Sequence, residues 1–306
     1  MKKLLLLLTG MCCIIVSCSP EPDQPQERSS NDMLVVYTVN YPLAWFAQRI
    51  GGNVVDVQFP GPPDEDPAYW QPVSETIEQY QKADMILLNG ADYAKWITTT
   101  SLPMSKCVNT SAAFKEQYIA LEDDLTHSHG PAGEHAHGGL AFTTWLDFSL
   151  AVQQAQASKD ALIKRAPEHA EKFDANYADL EKDLMTLDTE MKSIAEKIAA
   201  APLIVSHPVY QYWAQGYGLN VRSVHWEPDE APTDAQWREL KKLLLSHPAK
   251  LMIWEGEPTA ATIDALKALN IESIVFDPCA ARPSGINFLA SMQDNIDELE
   301  NKTMRD

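Results

Sequence analysis

The sequence predicts an α/β fold: two βα lobes with mainly parallel sheets, joined by one long connecting helix. Three observations carry this. Phe173, Tyr177, Leu180, Leu184, Leu187, Met191, Ile194 and Ile198 recur at alternating steps of four and three, which is one stripe on an α-helix. Short β-branched runs alternate with helical patterns on both sides of that stripe, the mark of parallel βα units. Pro167 and Pro202 bracket it where a first helical turn and the residue past a helix end accept proline. A helix of roughly 34 residues spans about 50 Å at about 1.5 Å per residue, more than one small domain needs. The strict heptad-like spacing also suits a coiled coil, but the α/β patterns flanking it favour a strut laid along two lobes. The length of 306 residues accommodates them. Residues 33–160 read as an N-terminal lobe, 161–200 as the connecting helix and 201–306 as a C-terminal lobe.

The first 32 residues stand outside this scheme. Lys2 and Lys3 precede an apolar run from Leu4 to Ser17, too short to span a bilayer, which takes roughly 20 residues, and suited to a signal peptide. The run ends Ile15-Val16-Ser17-Cys18, which looks like a lipobox, so 1–17 is expected to be removed and Cys18 lipidated. Residues 18–32, rich in Ser, Pro and Gln, then form a disordered tether. The expected location is extracytoplasmic, on a bacterial membrane facing the periplasm or the cell surface, held by the lipid alone. The net charge of −19 argues against a nucleic-acid partner. Cys107 and Cys279 are the cysteines left after the lipid site, one in each half, with no pairing indicated.

In chain order, Met33–Val39 reads as a buried strand and Tyr41–Ile50 as a helix stopped by Gly51-Gly52. Val54–Phe59 is a second strand, followed by the proline-rich loop Pro60–Pro72. Val73–Lys82 is helical, Ala83–Asn89 a strand, Ala91–Ile97 a helix and Lys106–Asn109 a short fourth strand. The pattern dissolves between Leu121 and Leu140. That stretch holds His127, His129, His135 and His137, half of the eight histidines in the chain, so a loop that captures metal weakly and exchangeably is expected. Helical pattern resumes at Thr144. Past the strut come the strand–helix pairs 203–206 and 208–217, 221–224 and 234–245, 251–254 and 259–269, then 271–276 and 286–301. Asp66, His207, Glu255 and Asp277 each follow a strand, where open sheets bind ligands. His169 and His225 read as surface residues, and His247 as a helix-end cation. Trp45, Trp70, Trp145, Trp213 and Trp254 border the same region, either as inter-lobe packing or as aromatic walls of a cleft. No Gly-x-Ser-x-Gly, phosphate-cradling loop or His-Glu-x-x-His is present, so no enzyme is expected.

Several of these segments together resemble the zinc and manganese receptors of bacterial ABC importers, the cluster A-I group of zinc-uptake type. They are NYPLAWFAQRIGG, ADMILLNGADYAKW, TTWLD, SHPVYQYWAQGYGL and FDPCA with INFLASMQDNIDEL. The likeness runs over nearly everything after Met33, and the His-rich loop lies where zinc-specific members carry theirs. It implies a monomeric receptor that binds a divalent transition metal, most simply zinc, and delivers it to a permease with its ATPase. It also implies four metal ligands, of which this chain keeps two, His207 and Asp277. The first position holds Ala68 and the second Thr143, neither a useful donor for zinc, which takes four tetrahedral ligands or three plus water. Replacement donors are sought in the loop histidines, in Glu65 and Asp66, in Glu255 and Glu257, and in Cys279, whose thiolate would be a strong soft ligand. Two other readings follow from the depleted site: the same fold holding a metal chelate or organic solute, and an envelope metal buffer acting through the His-rich loop alone.

Overall fold

The computed structural model describes residues 33–63, 65–121, 126–128, 134–136 and 139–303. The signal peptide, the tether and Cys18 therefore lie outside the described residues, as do His129 and His137. Among the described residues no helix is long and apolar enough to cross a membrane.

Four strands, β1 (Leu34–Thr38), β2 (Val55–Gln58), β3 (Met85–Leu88) and β4 (Cys107–Asn109), form an all-parallel sheet in the order β2-β1-β3-β4. Both faces of such a sheet are covered, which is why Met85-Ile86-Leu87 is apolar without alternation. Helix α1 (Tyr41–Gly51) begins at Asn40, whose Oδ1 accepts from Leu43 N–H at 3.2 Å, and ends on Gly52 at φ 57°. Helix α2 (Ser74–Lys82) follows the proline-rich loop. The helix expected over Ala91–Ile97 is not formed. Gly90, Ala91 and Asp92 all take positive φ, so the chain turns left-handed and only a 3₁₀ segment, Lys95–Thr99, remains.

The His-rich stretch has more order than its composition suggests. β5 (Ala120–Leu121) pairs antiparallel with β8 (Gly139–Leu140), and within it β6 (Thr126–Ser128) pairs with β7 (Glu134–Ala136). His127 is opposite His135 in register.

Asp147 caps α3 (Phe148–Arg165), accepting from Ser149 N–H at 2.9 Å, and the long α4 (Ala170–Ile198) follows after a 3₁₀ turn at Pro167–His169. All eight residues of the apolar stripe are buried, against α1, α3 and α8. One charged residue shares that face. Asp188 is 1% exposed, and its carboxylate accepts from Tyr217 Oη at 3.1 Å and from Lys192 Nζ at 2.6 Å.

The C-terminal lobe repeats the plan. β9 (Leu203–Val205), β10 (Val221–Ser223), β11 (Leu251–Trp254) and β12 (Glu272–Val275) are all parallel, in the order β10-β9-β11-β12. The helices are α5 (Gln211–Gly216), α6 (Asp234–Ser246), α7 (Ala260–Lys267) and α8 (Phe288–Thr303). α5 starts three residues later than the pattern suggests, because Val209 N–H turns back onto the His207 carbonyl at 2.9 Å. His247 is buried rather than set toward solvent, with Nε2 at 2.9 Å from the Leu203 carbonyl. One continuous apolar core takes residues from both sheets and the strut, from Leu34 and Val36 through Leu184 to Val205 and Ile253. Hinge opening would have to break that core.

Candidate metal centre

A cleft of about 370 Å³ lies between the C-terminal ends of the two sheets. The N-terminal lobe lines it with Pro63, Glu65, Asp66, Tyr69, Phe142 and Thr143, and the C-terminal lobe with His207, Val209, Glu255 and Asp277 among others. Four of the acidic and imidazole residues expected to follow strands are therefore brought to one place.

On the N-terminal side Asp66 and Thr143 are bonded locally, and Glu65 also lines the cleft. Asp66 Oδ1 accepts from Ala68 N–H at 2.9 Å, and its carbonyl accepts from Tyr69 and Trp70 N–H at 3.0 and 2.9 Å. Ala68 is fully buried. Thr143 Oγ1 donates to the Val209 carbonyl across the cleft. Behind it a buried amide cluster holds the lobe's strand ends. Asn40 donates to Asn89 Oδ1 at 3.2 Å, Gln154 donates to the same oxygen at 3.1 Å, and Asn89 Nδ2 donates to the Phe142 carbonyl at 2.9 Å. Phe142 and Thr143 are thus fixed as wall, and Ala68 offers no donor atom.

The C-terminal side is built by strand register. Val205 pairs with Ile253 across β9 and β11, so two residues further on His207 comes beside Glu255. On the other edge the ladder continues past β10, with Val224 N–H donating to Val205 and Trp226 N–H to Ser206. This carries His225 and Glu227 alongside His207. Its Nδ1 lies 3.5 Å from Glu227 Oε1 and 3.4 Å from Glu255 Oε1. These three are the group of donors within 4.8 Å of one another among the described residues. The His207 side chain is 2% exposed and the glutamates 19% and 24%. The His225 ring centroid is 6.0 Å from that of His207, and His225 is half-buried rather than fully exposed. His169 likewise packs on Phe173.

Asp277 ends β12, on the far side of β11 from β9, and does not join the group. Its loop is pinned: Asn295 bonds its N–H and carbonyl at 3.0 and 2.8 Å, Trp145 Nε1–H donates to Pro278 at 2.7 Å, and Tyr41 N–H donates to Ala280 at 2.9 Å. Burial pushes the Asp277 carboxyl above its ordinary range, opposed by hydrogen bonds from Cys279. Cys279 sits beside Asp277 in the same loop. It is 1% exposed, and its N–H donates to Asp277 Oδ1 at 2.7 Å. Its S–H lies 3.8 Å from Asp277 Oδ2. Burial and the neighbouring carboxylate push the thiol far above its usual range, which favours the protonated form in the absence of a metal. The tryptophans serve packing. None lines the cleft; Trp145 ties one lobe to the other, and Trp254 stacks with Trp226 in a second core. The aromatic wall is Tyr69 and Phe142 instead.

Glu227 is absent from the expectations drawn from sequence. Only the neighbour relation of β10 and β9 brings it in, and no periodicity reports sheet order. Its one signal is that it, like Glu255, lies a few residues past a strand end.

Two parallel-sheet lobes, a helix bracing both and a polar cleft between strand ends define a cleft-type solute-binding protein. The chain belongs to the family described as "Zinc-uptake complex component A periplasmic", which matches residues 36–302. It is therefore a substrate-binding component and not an enzyme. It is 23% identical to the high-affinity zinc uptake system protein ZnuA of Bacillus subtilis over 98% of this chain and 97% of that one. The crystal structure of the metal-dependent lipoprotein YcdH from Bacillus subtilis superposes with a TM-score of 0.74 at 22% identity, covering 88% of this chain and 98% of that one. The Zn(II)-bound ZnuA-like domain of Streptococcus pneumoniae AdcA gives 0.73 at 20% identity, covering 89% and 99%. These structural likenesses extend to the fold.

Proposed function

We propose that this protein is a lipid-anchored extracytoplasmic receptor that binds a divalent transition metal, zinc in the first instance, and hands it to the permease and ATPase of an ABC importer. The observation carrying this is His207: a buried imidazole at a strand end, flanked by carboxylates, opening on a cleft in a fold whose relatives are described as zinc-uptake and metal-dependent proteins. Ala68 and Thr143 shift the burden of coordination to the C-terminal lobe. His207 is the nitrogen donor, and Glu255 and Asp277 are the acids that line that half of the cleft. The continuous core favours a receptor that admits its ion with little lobe motion. Cys18 carries the anchor in this reading, and the His-rich stretch gathers ions weakly.

Metal titration of the full chain tests the receptor reading. One tight zinc site per chain, apart from weaker loop sites, is expected; its absence would leave the protein without the cargo proposed. Cys18→Ala should release the protein from membranes, and a wild type recovered without an acyl group would remove the anchor.

A further inference from the structure

One turn of the N-terminal lobe holds two loops of the C-terminal lobe. Thr143 Oγ1 donates to the Val209 carbonyl, and Trp145 Nε1–H donates to the Pro278 carbonyl at 2.7 Å. Val209 follows β9 and Pro278 follows β12, so the loops on either side of β11 are both tied to residues 143–145. Thr143, Val209 and Pro278 all line the cleft. The turn is braced from behind. Leu146 N–H closes it onto the Thr143 carbonyl at 3.2 Å, and Thr144 Oγ1 donates to Gln154 Oε1 at 3.0 Å in the buried amide cluster. In the C-terminal lobe Tyr210 Oη donates to the Phe276 carbonyl at 2.7 Å, which joins the same two loops to each other.

Val209 also shapes the turn that carries His207. Its N–H donates to the His207 carbonyl at 2.9 Å. The Thr143 hydroxyl therefore holds one end of a residue whose other end holds His207. His207 is 1% exposed although it lines the cleft, while Pro208 and Val209 are half-buried. An ion that comes to the imidazole from outside needs this short turn to shift. The core beside it, with Val205 and Tyr210, is continuous between the lobes and resists any larger movement. Every donor and acceptor in these ties belongs to the protein, so the ties form with or without an ion.

We infer that Thr143 is a positioning residue: its hydroxyl latches the His207 turn to the N-terminal lobe before any ion arrives, and cargo enters and leaves through opening of that latch. The inference rests on the metal-receptor reading for what the cargo is, and on the hydrogen bonds alone for the latch. Where the resemblance implies a metal ligand, this chain has a bond from one lobe to the other, so the cleft is closed by a hydroxyl and not by an ion shared between lobes. A latch that is the same in the empty and the loaded protein cancels from the affinity and remains in both rates. Removing one neutral hydrogen bond that must break in the opening step speeds that step about fivefold.

The test uses the full chain with His127→Gln, His129→Gln, His135→Gln and His137→Gln, so that loop binding cannot mask the cleft, and zinc as the probe. Hydrogen exchange at the Val209 amide is read first, in the metal-free and the zinc-loaded protein. Equal protection is expected; protection that appears only with zinc would overturn the inference, because the ion would then be what closes the turn. Thr143→Val should raise exchange at that amide in the metal-free protein. Zinc uptake and zinc release, followed by stopped flow with a fluorescent chelator, should both become about fivefold faster in this variant, with affinity within about threefold. Thr143→Ser keeps a hydroxyl and should keep rates near those of the parent. Faster release with unchanged uptake would mean that the hydroxyl serves the loaded state alone, and two unchanged rates would mean that the latch gates nothing; either result overturns the inference. A chain that binds no zinc would remove the receptor reading, while the latch would still stand or fall on the metal-free exchange of Thr143→Val.

Discussion

The N-terminal and C-terminal sheets have the same strand number and the same parallel order, yet they present opposite chemistry to the cleft. The N-terminal lobe offers proline, Tyr69, Phe142, a threonine whose hydroxyl is spent on Val209, and an aspartate that caps its own turn. The C-terminal lobe offers His207, Glu255 and Asp277, with Glu227 beside His207. What the pair teaches is that apolar strands and the helices covering them set the scaffold, while donors sit in the two or three residues beyond each strand. Those residues can be exchanged without touching the core.

The comparison breaks first at its donors. His207→Ala removes the nitrogen donor of the proposed metal site, and zinc affinity should fall by about 1,000-fold, or about 4 kcal/mol, in chelator competition. Thr143→Val at the facing position should change affinity by less than about threefold, or about 0.6 kcal/mol. If the two variants lose affinity equally, the cleft is symmetric in function and the contrast between the lobes disappears.

The second test reaches the N-terminal scaffold. Gly90 has φ 78°, and an added Cβ would collide with Ser111 Oγ and Asn109 Oδ1. Gly90→Ala should therefore destabilise by about 2–4 kcal/mol in denaturant unfolding, from backbone strain plus overpacking. Zinc affinity measured below the transition should hold. A stable Gly90→Ala protein would mean that the turn relaxes, and that the buried cluster of Asn40, Asn89 and Gln154 does not depend on it.

Most of this scaffold was legible in the sequence, and the reason is physical. The stripe from Phe173 to Ile198 repeats a period that only a buried helix face requires, and the β-branched runs sit within a residue or two of the observed strands. Failures came where local chemistry beat periodicity. Gly90-Ala91-Asp92 turn left-handed where a helix was expected, and Asp188 hides in the apolar face because Tyr217 and Lys192 satisfy it. Of the site, His207 and Glu255 were visible as residues past strand ends. Glu227 was not, because its place beside His207 follows from sheet order. For Cys279, composition reveals a thiol but not the burial that raises its pKa.

A smaller effect tests whether the lobes are joined as tightly as the shared core suggests. Trp145, fully buried in the N-terminal half, donates to the Pro278 carbonyl at 2.7 Å in the C-terminal half. Trp145→Phe leaves that carbonyl without its donor, and about 1–3 kcal/mol of stability should go with it. A second, earlier unfolding transition would show that the lobes uncouple; a single shifted transition would show that they unfold together.

The smallest expected effect lies where the C-terminal lobe inserts into the N-terminal one. Tyr212 packs with Phe114, Ala141 and Leu150, and its Oη accepts from Ile119 N–H at 3.3 Å. Burial pushes its phenol from 10.0 up to about 12, partly offset by that hydrogen bond. In the folded state the proton stays on between those values, while the unfolded chain gives it up and is favoured. The stabilisation from the buried phenol is therefore complete below pH 10 and declines as pH rises toward 12. Tyr212→Phe should cost about 1 kcal/mol at pH 7, where Ile119 N–H loses its acceptor. The variant's stability should then fall less steeply than that of the wild type between pH 10 and 12, so the two curves converge. Other buried tyrosines, Tyr80 and Tyr217 among them, keep part of the alkaline slope in both proteins. Parallel curves over that range would mean that Tyr212 is solvated in solution and that the contact between the lobes is looser there than around Trp145.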